Sequence, residues 1–242
     1  MKKLLIPLIS IFAIAPFAIT PLSTHAEETP SAFTNNIELG AVQTSGNTKT
    51  LAVNAKGTSV HEGESTRQTL KGSANSSSNN NTTTAESYKV SLQDDWKVTE
   101  RDYVFFRFGF ESDRFAGFNR RLSETTGYGR DLIKTDEFLW KGELGGGLRQ
   151  TRYTDLSKKS EGILRAATNV KWKINDTATF TEDASTEGGK SGWASESITG
   201  LQHALNSHLA SKISFKVAHN SKVNTGIKKT DIETAISLVV NF

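Results

Sequence analysis

The chain has 242 residues, 36% of them hydrophobic and 23% charged, with 29 Lys and Arg against 26 Asp and Glu. The resulting formal charge of +3 is too small to mark a nucleic-acid-binding protein. The absence of cysteine excludes a disulfide scaffold, a thiolate metal site, a cysteine nucleophile and a lipid-modified cysteine. Past the first twenty-odd residues no run approaches the 18 or so apolar positions of a membrane-spanning helix. A β-barrel stays open, because it crosses a membrane with alternate residues and is polar on average.

Residues 1–26 have the make-up of a cleaved signal peptide. Lys2 and Lys3 form a positive start, Leu4 to Ile19 an apolar stretch broken by Pro7 and Pro16, and Thr24-His25-Ala26 a small-x-small cleavage site. Cleavage after Ala26 leaves a bacterial export product: a short periplasmic segment, 27–34, and a barrel over 35–242.

From there the apolar residues recur with period two. In chain order the apolar faces are Ile37/Leu39/Ala41, Leu51/Val53/Ala55, Leu70/Gly72/Ala74, Tyr88/Val90/Leu92, Val104/Phe106/Phe108/Phe110 and Thr126/Tyr128. They continue as Phe138/Trp140/Leu144/Leu148, Leu164/Ala166/Val170/Trp172, Ala178/Phe180, Ile198/Gly200, Ile213/Phe215/Val217 and Ile232/Thr234/Ile236/Leu238/Val240/Phe242. That makes about twelve strands of an all-β, transmembrane, antiparallel up-and-down barrel, and the even count puts both termini on one side, the periplasmic one.

The connections are expected to alternate. Short turns fall near 61–65, 97–102, 133–136, 175–176 and 205–208, and long outer loops near 75–85, 112–122, 153–161, 187–195 and 220–229; a tight Gly-Asn turn at 45–48 breaks the rule. Trp96, Trp140, Trp172, Phe138, Phe180 and Phe242 lie at the periplasmic ends as an aromatic girdle, and Phe110, Phe115, Phe118, Tyr153 and Trp193 near the outer ends. Asp94 and Glu182 fall on the lipid face, which calls for an interfacial position or a face-switching bulge. The terminal aromatic Phe242 is similar to the signature by which the barrel-assembly machinery recognises outer-membrane barrels.

Several segments also carry a family resemblance. Gly40-Ala-Val-Gln-Thr-Ser-Gly-Asn-Thr48, Thr99-Glu-Arg-Asp-Tyr103, Phe110-Glu-Ser-Asp-Arg-Phe-Ala-Gly117, Gly127-Tyr-Gly129, Thr177-Ala-Thr-Phe-Thr181 and His219-Asn-Ser221 through Lys229-Thr-Asp231 resemble, in order, the salt-induced outer-membrane protein family, a domain of unknown function. The resemblance spans about 35–242. It implies an outer-membrane barrel and brings no activity, ligand or catalytic residue; outer-membrane lipid and lipopolysaccharide are the expected surroundings of such a barrel.

Functional candidates then come from the faces. Serine-hydrolase, zinc-protease and nucleotide-loop motifs are missing, no cofactor or metal is implied, and the protein is expected not to be an enzyme. One exception deserves a test: His219, Ser221 and Glu233 have the spacing of an outer-membrane lipid A deacylase, with histidine as base, serine as nucleophile and carboxylate as orienter. Alternation points His219 and Ser221 outward and Glu233 inward, against that chemistry.

The same alternation lines the lumen with charges. The cations are Lys56, Arg67, Lys71, Lys89, Arg107, Lys141, Arg149, Arg165, Lys171, Lys173, Lys212 and Lys216. The carboxylates are Asp95, Glu111, Asp113, Glu143, Asp183, Glu187, Asp231 and Glu233. Arg107, Lys141, Arg149 and Lys171 are expected to form a central cationic ring. An open lumen of this kind conducts small anions or polar solutes, whereas a paired one is a solid polar core in a structural, stress-responsive barrel.

Overall fold

The computed structural model describes residues 33–44, 50–223 and 228–242. The signal segment and the 45–48 turn lie outside the described residues. Twelve strands follow one another: β1 Phe33–Thr44, β2 Thr50–Glu62, β3 Thr66–Asn79, β4 Thr82–Lys97, β5 Asp102–Asp113, β6 Phe118–Lys134, β7 Phe138–Tyr153, β8 Lys158–Lys173, β9 Ala178–Gly189, β10 Gly192–Ala204, β11 Leu209–Asn220 and β12 Thr230–Asn241. Each pairs antiparallel with its chain neighbours, and β12 pairs with β1, so the sheet closes on itself.

Closure leaves no free sheet edge, the condition for strands to lie in a medium without water. The closing seam pairs Asn36 with Asn241 through Leu39 with Leu238, and Asn35 and Phe242 exchange two backbone hydrogen bonds of 3.1 Å below it. Both ends of the barrel sequence meet at this rim, called here the terminal rim; the opposite one is the distal rim.

The exterior is apolar and the interior polar, the inverse of a water-soluble barrel. Leu144, Leu164, Ile232 and Ile236 are each more than 60% exposed, while Glu143, Arg165 and Glu233, one residue away, point inside. Burying a Leu or Ile is worth roughly 1.5–3 kcal/mol, so a belt of such side chains needs lipid around it. Trp96, Trp140, Trp172, Phe180 and Phe242 stand on the outer face at the terminal rim, with Phe138, Trp172 and Phe180 directly opposite one another across β7, β8 and β9. Trp140 donates its indole N–H to the Thr168 hydroxyl at 2.9 Å, which satisfies its one polar group at the interface.

Turns at the terminal rim are held by their own side chains. Asn175 Oδ1 accepts the backbone N–H of Thr177 and Ala178, Asn206 Oδ1 those of His208 and Leu209, and Thr99 Oγ1 those of Arg101 and Asp102. The distal connections differ from the expected long loops. The strands run on, and the chain turns at 80–81, 114–117, 154–157 and 190–191; residues 45–49 and 224–227, in the two other distal connections, lie outside the described residues. A polar Asn/Ser/Thr stretch looks like a loop in sequence, yet ladder hydrogen bonds need only the backbone, and above the membrane neither face has to be apolar. Asn80 and Asn81 both have positive φ, 47° and 63°, the hairpin turn whose twist matches the strands.

Two face assignments also change. Ile198 and Gly200 point inward rather than out, because Glu196, on the same side of β10, reaches lumen lysines while Ser197 and Thr199 point out with Leu201. Phe118 is buried, not part of an outer girdle: an irregularity between Phe118 and Arg120 turns its ring inward, where the Arg121 guanidinium lies 4.0 Å above it.

Asp94 and Glu182 do face outward, with no bulge at either. Gln68 donates to Asp94 at 2.9 Å, and Ser197 and Thr199 donate to the two Glu182 oxygens at 2.6 Å each. Both stand within a few residues of the girdle, where the cost of a carboxylate falls off toward the interface. Glu124 is a further exposed outward carboxylate, on β6 between Leu122 and Thr126.

Candidate functional site: the lumen

The lumen narrows on one side through an aromatic inset. Phe105 and Tyr103 on β5 point inward and are buried, Phe105 completely. They fit because the strands beyond carry glycine: a Cβ on Gly145 would lie 3.0 Å from the Phe105 ring, and one on Gly129 2.3 Å from that of Tyr103. Tyr103 donates to Glu143 at 3.1 Å and its ring receives the Arg67 guanidinium at 4.8 Å.

Around this inset the charges form layers. Near the terminal rim Arg67 pairs with Asp95 at 2.7 Å and Lys141 with Asp131 at 3.9 Å. Glu143, accepting from Gln93 and Tyr103, also faces Arg165 at 3.9 Å. Higher, Arg121 reaches Glu111 at 3.2 Å, and Arg149 is enclosed with Glu161 at 2.7 Å while donating to the Gly192 and Glu187 carbonyls. On the opposite side Lys212 bonds Glu38 at 2.5 Å, among buried Ala210, Ser214, Ala235, Ser237 and Val239.

Two ion pairs cross the lumen. Lys71 on β3 meets Asp183 on β9 at 3.4 Å, and Lys89 on β4 meets Glu196 on β10 at 2.6 Å. Each joins strands six apart in a ring of twelve, hence opposite walls. Lys89 also touches Glu111, and Glu196 touches Lys216, which itself stands 4.0 Å from Glu233. These bridges divide the interior into a β5–β8 side, with the aromatic inset, and a β11–β2 side lined by small residues.

The expected central ring of Arg107, Lys141, Arg149 and Lys171 is not one ring. Lys141 and Lys171 lie near the terminal rim and Arg149 near the distal one, because Lys141 and Arg149 stand eight residues apart on β7, about 26 Å, and Lys171 is next to the terminal turn of β8. Arg107 alone stands midway, near Arg165, Glu187, Glu143 and Glu111 but ion-paired with none of them. Glu38, Asp131, Glu161 and Glu196 belong to the site and escaped the sequence lining; for Glu196 the cause is the inverted face of β10.

His219, Ser221 and Glu233 are not brought together. His219 bonds the Thr230 hydroxyl on the outer face at 2.8 Å, Ser221 accepts the backbone N–H of Trp193, and Glu233 points inward toward Lys216. The carboxylate lies on the other side of the sheet from the imidazole it would have to orient.

An apolar belt, aromatic girdle, closed ladder and charged interior together define a transmembrane β-barrel of the outer-membrane kind. Residues 37–242 match the family model described as "Protein of unknown function, DUF481", and the chain belongs to that family. That description carries neither an activity nor the salt-induced label of the resemblance. The uncharacterized protein YdiY of Escherichia coli (strain K12) is 29% identical over 207 residues, covering 85% of this chain and 82% of YdiY. Among solved structures, the fold is similar to the COG4313 outer membrane channel of Pseudomonas putida F1, with TM-score 0.51, 8% identity, and coverage of 89% of this chain and 97% of that one. The NanC porin superposes with TM-score 0.49 at 12% identity, over 86% and 97% of the two chains.

Proposed function

We propose that the protein is a narrow passive channel of the bacterial outer membrane, for small polar or anionic solutes, with both termini in the periplasm. The observation that carries this is the Lys71–Asp183 pair. It spans the lumen between opposite walls, yet its side chains keep 51% and 44% of their exposure. An ion pair this wet in the middle of a barrel has water-accessible space around it, which a filled core does not offer. Among the described residues Lys56, Arg107, Lys171 and Lys173 are inward cations with no carboxylate in ion-pair contact, against the inward carboxylates Asp113, Glu187 and Asp231, a small positive excess that supports a weak anion preference.

Single-channel current of the refolded protein across a salt series tests it. The wild type passes a small steady current with anion preference, and Lys71→Ala or Asp183→Ala enlarges it. A silent bilayer from both variants, with the protein folded, favours the second reading: a structural, stress-responsive envelope barrel whose interior is closed by Phe105 and the buried Arg149–Glu161 pair. Fractionation with the outer membrane and anomalous mobility on an unheated gel check the location. Salt induction, which the family resemblance implies, is checked by transcript level after a salt shift.

Assembly through Phe242 belongs to the same reading. Phe242→Ala keeps the two seam hydrogen bonds to Asn35 and removes only the aromatic ring. Accumulation in the outer membrane should fall with this variant if the ring is read by the barrel-assembly machinery, and stay unchanged if only the seam matters.

A further inference from the structure

At the distal rim three cations stand in a row on the outer face. Arg120 on β6 is the ladder partner of Arg152 on β7, and Arg152 is that of Lys158 on β8. Directly opposed residues on one face have Cβ atoms about 4.5–5.5 Å apart, and like charges there repel. None of the three forms a salt bridge among the described residues. The Arg152 Nε is shielded from solvent and has no hydrogen-bond partner. The nearest outward carboxylate on these strands, Glu124, is four residues along β6, about 13 Å away. Glu161 is turned inward onto Arg149 and Ser191, and Asp155 is bound to Ser157.

Below the row the same face opens into an apolar recess of about 430 Å³. Its walls are Leu164 and Trp193, with Lys190 of the β9–β10 turn also lining it, and its floor is glycine: a Cβ on Gly188 would lie 2.7 Å from the Trp193 ring, and one on Gly162 would meet nothing nearer than the Gly147 carbonyl at 4.0 Å. Lys158, Gly162 and Leu164 share the outward side of β8, so the recess begins about 13 Å along the strand from the cations. Depth agrees with this arrangement. Fourteen residues separate Lys158 from Trp172 of the girdle, about 35 Å of height at a strand tilt near 40°, against an apolar band about 25 Å tall. The row therefore stands at headgroup level and the recess among the acyl chains.

We propose that Arg120, Arg152 and Lys158 bind the phosphate of a phosphorylated lipid in the outer leaflet, with one of its acyl chains in the recess between Leu164 and Trp193. Two guanidinium forks and an ammonium on one line match phosphate oxygens geometrically and relieve the repulsion between them. The chain fills a groove that lipid tails would otherwise have to bridge. This rests on the barrel spanning a bilayer and not on its conducting.

The test uses the refolded full chain in phosphatidylcholine nanodiscs holding a minor fraction of phosphatidic acid, with protein-bound lipid counted by native mass spectrometry. Wild type should retain phosphatidic acid over phosphatidylcholine, and Arg120→Gln/Arg152→Gln/Lys158→Gln should retain about tenfold less. Arg152→Gln alone should lose part of the retention, and Lys228→Gln/Lys229→Gln, which removes exposed cations elsewhere on the same rim, should lose none. Unheated gel mobility verifies that each variant is folded. Equal retention by the triple variant and wild type overturns the proposal, as does equal loss in the Lys228/Lys229 variant. So does full displacement by millimolar inorganic phosphate, which would make the row a site for the free anion. Should the barrel reside elsewhere than the outer membrane, fractionation reports that independently of lipid retention.

Discussion

Arg149 and Glu161 oppose each other across β7 and β8 on the inner wall, 2.7 Å apart and almost fully enclosed. Three residues along the same two strands, on the outer face, Arg152 and Lys158 oppose each other in the same register with the same sign. One pair completes itself, and the other does not. The enclosed inner pair is matched because a charge held away from bulk water without its counter-charge is costly. Outside, at headgroup level, an unmatched row is tolerable where anions are plentiful. A paired charge in this molecule is architecture, and an unpaired line of them is a surface prepared for something else.

Removing one member of the inner pair should have the largest effect. Arg149→Met leaves Glu161 enclosed without its cation, and we expect a loss of about 3–5 kcal/mol in urea unfolding from lipid vesicles, most of it recovered in Arg149→Met/Glu161→Leu. No recovery in the double variant would mean that the backbone contacts of Arg149, not the charge, stabilise the wall. Phe105→Ala empties the glycine-lined inset and should cost about 3 kcal/mol, with a rise in conductance on the β5–β8 side.

Lys71→Ala should cost under about 1 kcal/mol, because that pair is wet, and should be visible in current rather than in melting. At the small end, Arg152→Gln should leave stability within about 0.5 kcal/mol of wild type, or raise it by relieving repulsion with Arg120 and Lys158. A loss of several kcal/mol there would show that the row is structural after all.

Much of this was legible in the sequence, because period-two alternation names both the strands and their faces. Twelve strands, the outward tryptophans and most lumen charges follow from it. It failed where the outer face stopped being apolar. On β10 the outward side carries Ser195, Ser197 and Thr199, so Ile198 reads as the lipid face and Glu196, half of a bridge across the lumen, drops out of the lining. Phe105 was hidden by its apolar neighbours Val104 and Phe106, and only the glycines of β6 and β7, facing it in space, reveal its place. The row of Arg120, Arg152 and Lys158 has no sequence pattern at all, since it exists only once the register of three strands is known.

The short distal hairpins have a consequence for how this rim meets proteases and binding proteins. Where the strands run up to turns of only two to four residues, at 80–81, 114–117, 154–157 and 190–191, a protease finds no slack segment to draw into its cleft, although Arg114 and Lys190 lie on those turns. The same stiffness gives an antibody or a phage a corrugated knob of backbone in place of a pliable loop. At these four hairpins the distal rim is hard to cut and offers little to grip.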